Sequence, residues 1–219
     1  MEVFIPLACV FVLLAAIFIG ARIFEKKRTQ AMALVADELS LDFSPEGNAM
    51  VQTTLSGLWL FNQGHSRKFR NMMTGSANGV EIAIFTYQYT TGHGKHKQTH
   101  KQTVISFQSQ HLSLPEFEMR LKGFFSKISK AFGYQYIGFD THPDFSKRYL
   151  LRGPKELEIR DTFDVERLDF LEDLPKGVAL EASNHSMIFY RSRKRMKPEQ
   201  IRDLMEEGFR VYSRFKRRE

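Results

Sequence analysis

The first apolar run of the chain, Val3 to Ala21, is nineteen residues long and contains no Asp, Glu, Lys, Arg or His. As an α-helix at about 1.5 Å per residue it would be about 28 Å long, close to the hydrocarbon thickness of a bilayer. A buried core helix is the alternative, but core helices usually keep a polar face, and this run has none. The pattern predicts a transmembrane anchor over residues 1–22, with Val3 and Ala21 at the ends of the span.

The charges on either side of this run predict its orientation. Only Met1 and Glu2 precede it, whereas Arg22, Lys26, Lys27 and Arg28 come after it. Positive residues near a span stay on the cytoplasmic side, so we expect a single-pass protein of the inner or plasma membrane with its N-terminus outside. A cleavable signal peptide is the alternative, but it would need basic residues before the run.

The helical pattern continues past the span without Gly or Pro. Ala31, Leu34, Val35 and Leu39 recur at spacings of three and four residues, and turn-forming residues begin at Asp42. We therefore predict a juxtamembrane helical stalk over residues 23–43, forming one rod with the span. Residues 44–219 would then form a cytosolic α+β domain.

Alternating apolar residues indicate antiparallel strands in this domain. The clearest strand is Val80 to Thr90, with apolar residues on both faces at its start, which predicts that both faces are covered there. Its hairpin partner is Thr103 to Ser109. Further strands are predicted at Phe69 to Gly75, Leu114 to Leu121, Phe145 to Gly153, Val178 to Ala182 and Ser186 to Tyr190. Helices are predicted at Leu121 to Phe132, Lys155 to Phe163, Val165 to Leu174 and, with an apolar stripe, from Pro198 to Phe215.

Two stretches of the domain are alike, so a duplication into two similar halves is an alternative organisation. Arg70 to Gly75 resembles Arg148 to Gly153. The spacing from Val104 to Pro115 equals that from Met187 to Pro198. Each half would then contain a basic strand, a hairpin, a Pro and an amphipathic helix.

Composition favours a folded domain beside a membrane. Twenty Phe, seven Tyr and one Trp supply apolar surface for a core, and the single cysteine, Cys9, cannot form an intramolecular disulfide. The net charge of +7 fits either a domain beside anionic lipid headgroups or a nucleic-acid-binding protein. No nucleic-acid-binding motif is present, so we expect the lipid bilayer, anionic headgroups and a protein as partners.

Three histidines in the loop after the first long strand could bind a metal ion. His93, His96 and His100 are spaced by three and four residues, as zinc or copper ligands can be. Neighbouring lysines oppose a dication, and no cysteine or carboxylate completes the site, so an ordinary basic hairpin loop is the alternative. Gly94-Lys95 lacks the Ser or Thr and the subsequent helix of a phosphate-binding loop.

A second candidate site combines Asp140, His142 and Asp144, whose carboxylates and imidazole could serve acid–base catalysis or hold a cation. The same residues are common in turns, so a turn between strands is the alternative. The sequence carries no hydrolase or dinucleotide-binding fingerprint, and we predict no cofactor. A non-enzymatic interaction domain is the preferred hypothesis, and a membrane-tethered metal-dependent enzyme is the alternative.

Several short motifs resemble those of an uncharacterised family of bacterial membrane-anchored proteins. The motifs are Phe61 to Gly64, Asn71 to Gly75, Phe85 to Tyr89, Gln102 to Val104, Leu114 to Phe117 and Phe145 to Tyr149. The resemblance covers most of the region after the stalk. It implies N-terminal membrane spans and then a cytosolic α+β domain of unknown function, and it implies no activity or site residue.

Overall fold

The computed structural model describes residues 4–124 and 136–217. Its helices are α1 (Phe4–Glu38), α2 (Ala49–Leu55), α3 (Trp59–Asn62), α4 (Pro143–Arg148), α5 (Glu156–Thr162), α6 (Val165–Asp173) and α7 (Ile201–Phe215). Its strands are β1 (Asp42–Ser44), β2 (His65–Ala77), β3 (Val80–Thr91), β4 (Gln98–Ser109), β5 (Leu114–Leu121), β6 (Tyr149–Arg152), β7 (Val178–Asn184) and β8 (Ser186–Arg191). Both classes of element occur together, which confirms the α+β prediction.

The strands form one antiparallel sheet in the order β1-β2-β3-β4-β8-β7-β5-β6. The predicted hairpins are present, with β3 paired to β4 over its whole length and β7 paired to β8. Strands β4 and β8 join these two hairpins at the centre of the sheet. The loop between β3 and β4 is therefore shorter than the sequence pattern suggested, because pairing continues to Thr91 and Gln98.

The sheet is covered on both faces at β3, as the start of that strand predicted. Val80, Ile82 and Ile84 belong to one apolar core, which they share with helices α1 and α7. Phe85, Tyr87 and Tyr89 belong to a second core, under α2 and α3. Side chains alternate between the two faces of a strand, so a strand covered on both sides has no polar face.

Helix α7 covers the first of these cores with the apolar stripe that the sequence indicated. Ile201, Leu204, Val211, Tyr212 and Phe215 are buried along it. Gly208 faces Ile105 and Phe107 of β4. A Cβ at Gly208 would lie 3.0–3.2 Å from Ile105 and Phe107 side-chain atoms, so a larger residue would require these side chains to shift by a few tenths of an ångström.

Helix α1 covers the predicted stalk only as far as Glu38, because a turn follows and Asp42 and Phe43 already belong to strand β1. The second half of the helix is part of the domain. Met32 and Ala36 are fully buried in the core that α7 also covers. Directly after the helix, β1 joins the edge of the sheet through residues 42–44. The stalk predicted at residues 23–43 therefore packs against the domain and contributes to its core.

The first half of α1 carries the predicted span. In the parts of the chain that the structure describes, no helix meets both the length and the hydropathy that a membrane span requires. Within α1 the side chains of residues 4–9, 11 and 14 lie outside the description. The anchor at Val3 to Ala21 stays a prediction.

Two of the predicted elements differ in the structure. The strand predicted at Phe145 to Gly153 begins only at Tyr149, because Pro143 starts the short helix α4. Proline fits the first turn of a helix, where its missing N–H has no partner to lose. Leu121 ends strand β5 rather than starting a helix, and most of the helix predicted at Leu121 to Phe132 lies outside the described residues.

The two halves suggested by the sequence share their hairpins but differ in the elements after each hairpin. After β4, Pro115 lies within strand β5. After β8, Pro198 begins a turn of 3₁₀ helix that leads into α7. Strand β5 also lies between β6 and β7, whereas β2 pairs directly with β3. The described elements therefore do not repeat in the same order.

The packing of α1 on the sheet can be tested with Met32→Ala in the full chain in mild detergent. We expect a loss of about 2–5 kcal/mol in the free energy of unfolding, because the substitution leaves a cavity in the core. Leu34→Ala is the matched control, since Leu34 on the same helix is 66% exposed. Equal effects of the two substitutions in urea denaturation would show that α1 does not pack on the domain.

Candidate functional site

The three histidines of the predicted metal site do not converge. His93 and His96 are exposed in the loop between β3 and β4, whereas His100 is a buried residue of β4. The His100 ring makes a 2.8 Å hydrogen bond to the Thr91 hydroxyl, and burial together with the charge of Arg193 lowers its pKa. Among the described residues, no group of three or more His, Cys, Asp or Glu side chains is arranged to hold a metal ion.

The three residues of the second predicted site, Asp140, His142 and Asp144, also do not come together. His142 is buried, and its Nε2 lies 3.1 Å from Oδ1 of Asp169 on α6. Asp140 is exposed, and Asp144 forms an exposed ion pair with Lys147 at 3.5 Å. The imidazole therefore links the start of α4 to α6, and its carboxylate partner is a residue that the sequence analysis did not consider.

A buried cluster of charged side chains lies on the sheet, under α3. We call it the ionic cluster, and its members come from four adjacent strands: Glu118, Arg120, Arg152, Glu181 and Tyr190. In the sheet register, Glu118 lies opposite Arg152 on β6 and opposite Glu181 on β7. Three of the charged groups thus lie side by side across three strands.

Each carboxylate of the ionic cluster is paired. Arg152 Nε donates to Glu118 Oε2 at 2.7 Å, and Arg120 also contacts Glu118 as an ion pair. Arg120 Nη2 and the Tyr190 hydroxyl both donate to Glu181 Oε1, at 2.8 and 2.9 Å. Two acids and two arginines make the cluster neutral overall. Buried charges are tolerated in proteins when they are paired in this way.

The ionic cluster also holds α3 on the sheet. The backbone N–H of Leu60 donates to Glu181 Oε2 at 2.9 Å, which gives a partner to an amide in the first turn of that helix. The guanidinium group of Arg152 lies over the Trp59 ring, 4.9 Å from its centroid. Oε2 of Glu181 is thus used for a structural contact. This arrangement is typical of a carboxylate that stabilises the fold rather than one that transfers a proton.

Burial raises the pKa values of two groups in the ionic cluster. Burial raises the pKa of the Glu118 carboxyl, and the charges of Arg120 and Arg152 oppose that rise. Burial also raises the pKa of the Tyr190 hydroxyl well above its ordinary value, so this tyrosine stays a hydrogen-bond donor.

A second set of polar contacts joins α1 to the loop between β8 and α7. We call this set the clamp, and its residues are Glu25, Arg28, Arg195 and Met196. Arg195 binds both carboxylate oxygens of Glu25, with Nη1 2.6 Å from Oε1. Arg28 Nη2 donates to the Met196 carbonyl at 2.7 Å, and Lys101 lies 3.5 Å from Glu25. A bidentate arginine–carboxylate contact fixes orientation as well as distance.

The environment of the clamp changes the pKa values of two of its groups. The hydrogen bond from Arg195 is the main cause that lowers the pKa of Glu25 to about 2. Burial is the main cause that lowers the pKa of Arg28 to about 10. Both groups therefore remain charged near pH 7.

A cavity of about 610 Å³ lies at the other end of α1, far along the helix from the clamp. Its walls come from the end of α1, the turn between β2 and β3, and the end of α7. Leu41, Val80 and Phe209 line its apolar part, and His111 and Lys216 add polar groups. It is a concave, mixed surface of the kind that binds small ligands or peptide side chains.

Comparison with known proteins identifies the fold but not a family. No family model and no curated protein matches the chain. The fold is that of a solved α+β protein, the mycobacterial trehalose monomycolate transport factor A, TtfA, whose crystal structure superimposes with a TM-score of 0.62. The match covers 86% of this chain and 92% of that chain at 13% sequence identity, a level that shows a shared fold alone.

The sequence analysis missed both the ionic cluster and the clamp. The only signal for the cluster was Glu118 and Arg120 alternating with Phe117 and Met119. That alternation usually indicates one buried and one solvated face, whereas α3 covers the charged face here. In the clamp, Glu25 and Arg195 are 170 residues apart in the chain, and Arg28 and Met196 are 168 apart, so no local pattern could indicate these contacts.

The ionic cluster can be tested with Glu181→Ala. We expect a loss of about 3–5 kcal/mol in the free energy of unfolding, because Arg120 then keeps a buried charge with one carboxylate fewer. Tyr190→Phe is the control, since it removes one hydrogen bond to the same carboxylate and should cost about 1 kcal/mol. Similar small losses in both variants, measured by urea denaturation, would contradict a buried ionic cluster.

The clamp predicts a pH dependence of stability. A carboxylate whose folded pKa is about 2 and whose ordinary value is 4.5 stabilises the protein above pH 4.5 and loses this contribution as the pH falls towards 2. Glu25→Gln should therefore destabilise the chain at pH 6 by about 1 kcal/mol, a value reduced for the partial exposure of the carboxylate.

The unfolding free energies of the parent and of Glu25→Gln should converge as the pH approaches 2. Glu38→Gln is the control for an exposed carboxylate on the same helix. A difference between the parent and Glu25→Gln that is constant from pH 6 to pH 2 would contradict the ion pair.

Proposed function

We propose that the chain is a single-pass membrane protein whose helix α1 carries an α+β interaction domain on the cytoplasmic face. The observation that carries this proposal is the exposed apolar surface of the first half of α1. Leu13, Ile17 and Phe18 are each 60–61% exposed, and Val12 and Phe24 are also exposed. Proteins in water rarely expose a contiguous apolar surface of this kind, whereas lipid chains would cover it.

The distribution of charge supports the proposed orientation. Arg22, Lys26 and Lys27 are exposed on the part of α1 next to the domain, and the predicted span before them has no charged residue. By the positive-inside rule these residues, and the domain with them, belong on the cytoplasmic side.

Binding rather than catalysis is the role that the described side chains favour. His142 and the acids of the ionic cluster are engaged in contacts that support the fold, and the cavity beside α7 offers a concave surface for a partner. The structural neighbour is named a transport factor, which is compatible with a membrane-associated interaction domain. The shared fold supports the proposal no further than that.

Membrane insertion can be tested in the full chain with the double substitution Leu13→Arg plus Ile17→Arg. Two arginines in the middle of the predicted span are costly in hydrocarbon, so we expect the variant to be released by alkaline carbonate. The parent should stay in the membrane pellet. The matched control is Leu34→Arg plus Met50→Arg, because both side chains are exposed but lie outside the predicted span.

The topology is tested in a second experiment, in which protease is added to spheroplasts that contain the parent protein. The domain should be degraded only after the membrane is permeabilised. Release of the parent by carbonate would contradict the anchor, and digestion of the domain in intact spheroplasts would contradict its orientation.

A further inference from the structure

Helix α1 packs on the neighbours of strand β3 and runs in the opposite direction to that strand. Glu25 contacts Lys101, which pairs with Gln88 of β3. Leu41, just after α1, touches Gly75, which pairs with Ile82. Moving from the end of α1 towards its start therefore corresponds to moving along β3 from Ile82 towards Gln88.

One further contact supports this alignment. Thr29 donates to the side-chain oxygen of Asn71 at 2.8 Å. Asn71 lies between the β2 residues that pair with Thr86 and Ile84. Thr29 thus lies between Glu25 and Leu41 in the chain. Its contact, Asn71, lies between the levels of Gln88 and Ile82 along β3.

The hairpin of β3 and β4 extends past Glu25 towards the predicted span. Strand β3 continues for three residues beyond Gln88, to Thr91, which adds about 10 Å. The same distance along α1 is about seven residues, which reaches to about residue 18. The loop after Thr91 thus lies level with the last turns of the span at Val3 to Ala21, near the position of lipid headgroups.

The loops at this end of the sheet are basic. Lys95 and Lys97 are exposed in the β3–β4 loop, at the tip of the hairpin. Lys194 and Lys197 are exposed in the β8–α7 loop, which lies beside Thr103 and is therefore level with Thr86 of β3. We call these four lysines the basic edge. The turns at the opposite end of the same strands, residues 78–79, 110–113 and 185, contain no Asp, Glu, Lys or Arg.

The acidic residues near the basic edge do not cancel its charge. Glu25 is bound by Arg195 and Lys101, which bring two positive charges for one negative charge. Glu199 lies 3.8 Å from Lys197 in an exposed pair, which solvent screens. The loops of residues 92–97 and 192–197 contain no Phe, Tyr or Trp, the side chains on which single-stranded nucleic acid bases stack.

We propose that the basic edge binds the phosphate groups of anionic phospholipids, an inference that rests on the proposed membrane anchor. The clamp joins the β8–α7 loop to α1 at Glu25 and Arg28, just after the predicted span, and the β3–β4 loop reaches further towards the span. Both loops are thus held beside the headgroups without a flexible linker. Lysines near an anionic surface gain energy from its negative potential. The domain therefore gathers anionic lipids around the anchor.

The experiment uses the full chain in nanodiscs that contain phosphatidylglycerol and phosphatidylcholine. Cys9 is replaced by Ser, and a fluorophore is attached through His96→Cys in the β3–β4 loop. The same shallow acyl-chain nitroxide is placed either on phosphatidylglycerol or on phosphatidylcholine at equal mole fraction. The measurement is the ratio of fluorescence quenching by the two labelled lipids, and Gln110→Cys at the opposite end of the sheet is the control position.

We expect at least twofold stronger quenching at position 96 by the labelled phosphatidylglycerol. Replacing Lys95, Lys97, Lys194 and Lys197 by Gln should return the ratio to one, and 0.5 M salt should reduce it. Position 110 should be quenched weakly by both lipids. Millimolar inorganic phosphate should leave the ratio unchanged, because a free phosphate does not replace a charged lipid surface.

Any other outcome would contradict one part of the proposal. A ratio of one in the parent, with strong quenching by both lipids, would overturn headgroup binding and leave the anchor intact. Weak quenching by both lipids in inserted protein would overturn the level assigned to the loop. A ratio that falls on adding inorganic phosphate or single-stranded RNA would identify a free-phosphate or nucleic-acid site instead. Failure of the parent to enter the nanodiscs would overturn the proposed anchor itself.

Discussion

The need to cover both faces of one antiparallel sheet determines the rest of this structure. Strand β3 has apolar side chains on both faces, and its neighbours extend both apolar layers. One layer is covered by α7 and by the second half of α1, and the other by α2 and α3. Because burial of apolar area is the main favourable term in folding, α1 cannot leave the sheet without exposing core residues such as Met32. The helix that we propose to leave the membrane is therefore a structural part of the domain.

The second apolar layer shows how a short helix can cover a sheet. Helix α3 has only four residues, so its own hydrogen bonds give it little stability. Glu181 supplies a partner for the Leu60 amide, and the Trp59 ring lies against Arg152. Buried ion pairs add little net stability compared with apolar packing, but losing one partner is costly. The ionic cluster thus joins α3 to the sheet through contacts of defined geometry.

Sequence reasoning succeeded where a single element carries the whole signal. The two apolar faces of β3, the hairpins, and the stripe of α7 each result from local periodicity, which depends only on whether the chain is a strand or a helix. It failed where local and tertiary effects compete. Tyr149 to Arg152 forms a strand, but the preceding residues form a helix that begins at Pro143. The apolar pattern alone does not indicate where the helix ends and the strand begins.

The candidate sites were harder to predict than the fold for the same reason. His142 was grouped with the acids two residues away, yet its carboxylate partner is Asp169 on another helix. Asp140 lies in the turn before α4 and Asp144 in the first turn of that helix, so the spacing of two residues does not bring their carboxylates to the imidazole. Partners in a site come from elements that only the tertiary fold brings together. Arg195 and Glu25 illustrate the limit, since either residue alone looks like an ordinary surface charge.

The clamp also fixes the orientation of the domain relative to the proposed anchor. A flexible linker would let the domain sample many orientations and distances from the bilayer. Here α1 runs unbroken to Glu38, and Glu25 and Arg28 are held by the loop before α7. From Arg22 to Glu38 the helix rises by about 24 Å. In the proposed arrangement, the cavity beside α7 is therefore held at a fixed height above the membrane, where a partner of matching height can reach it.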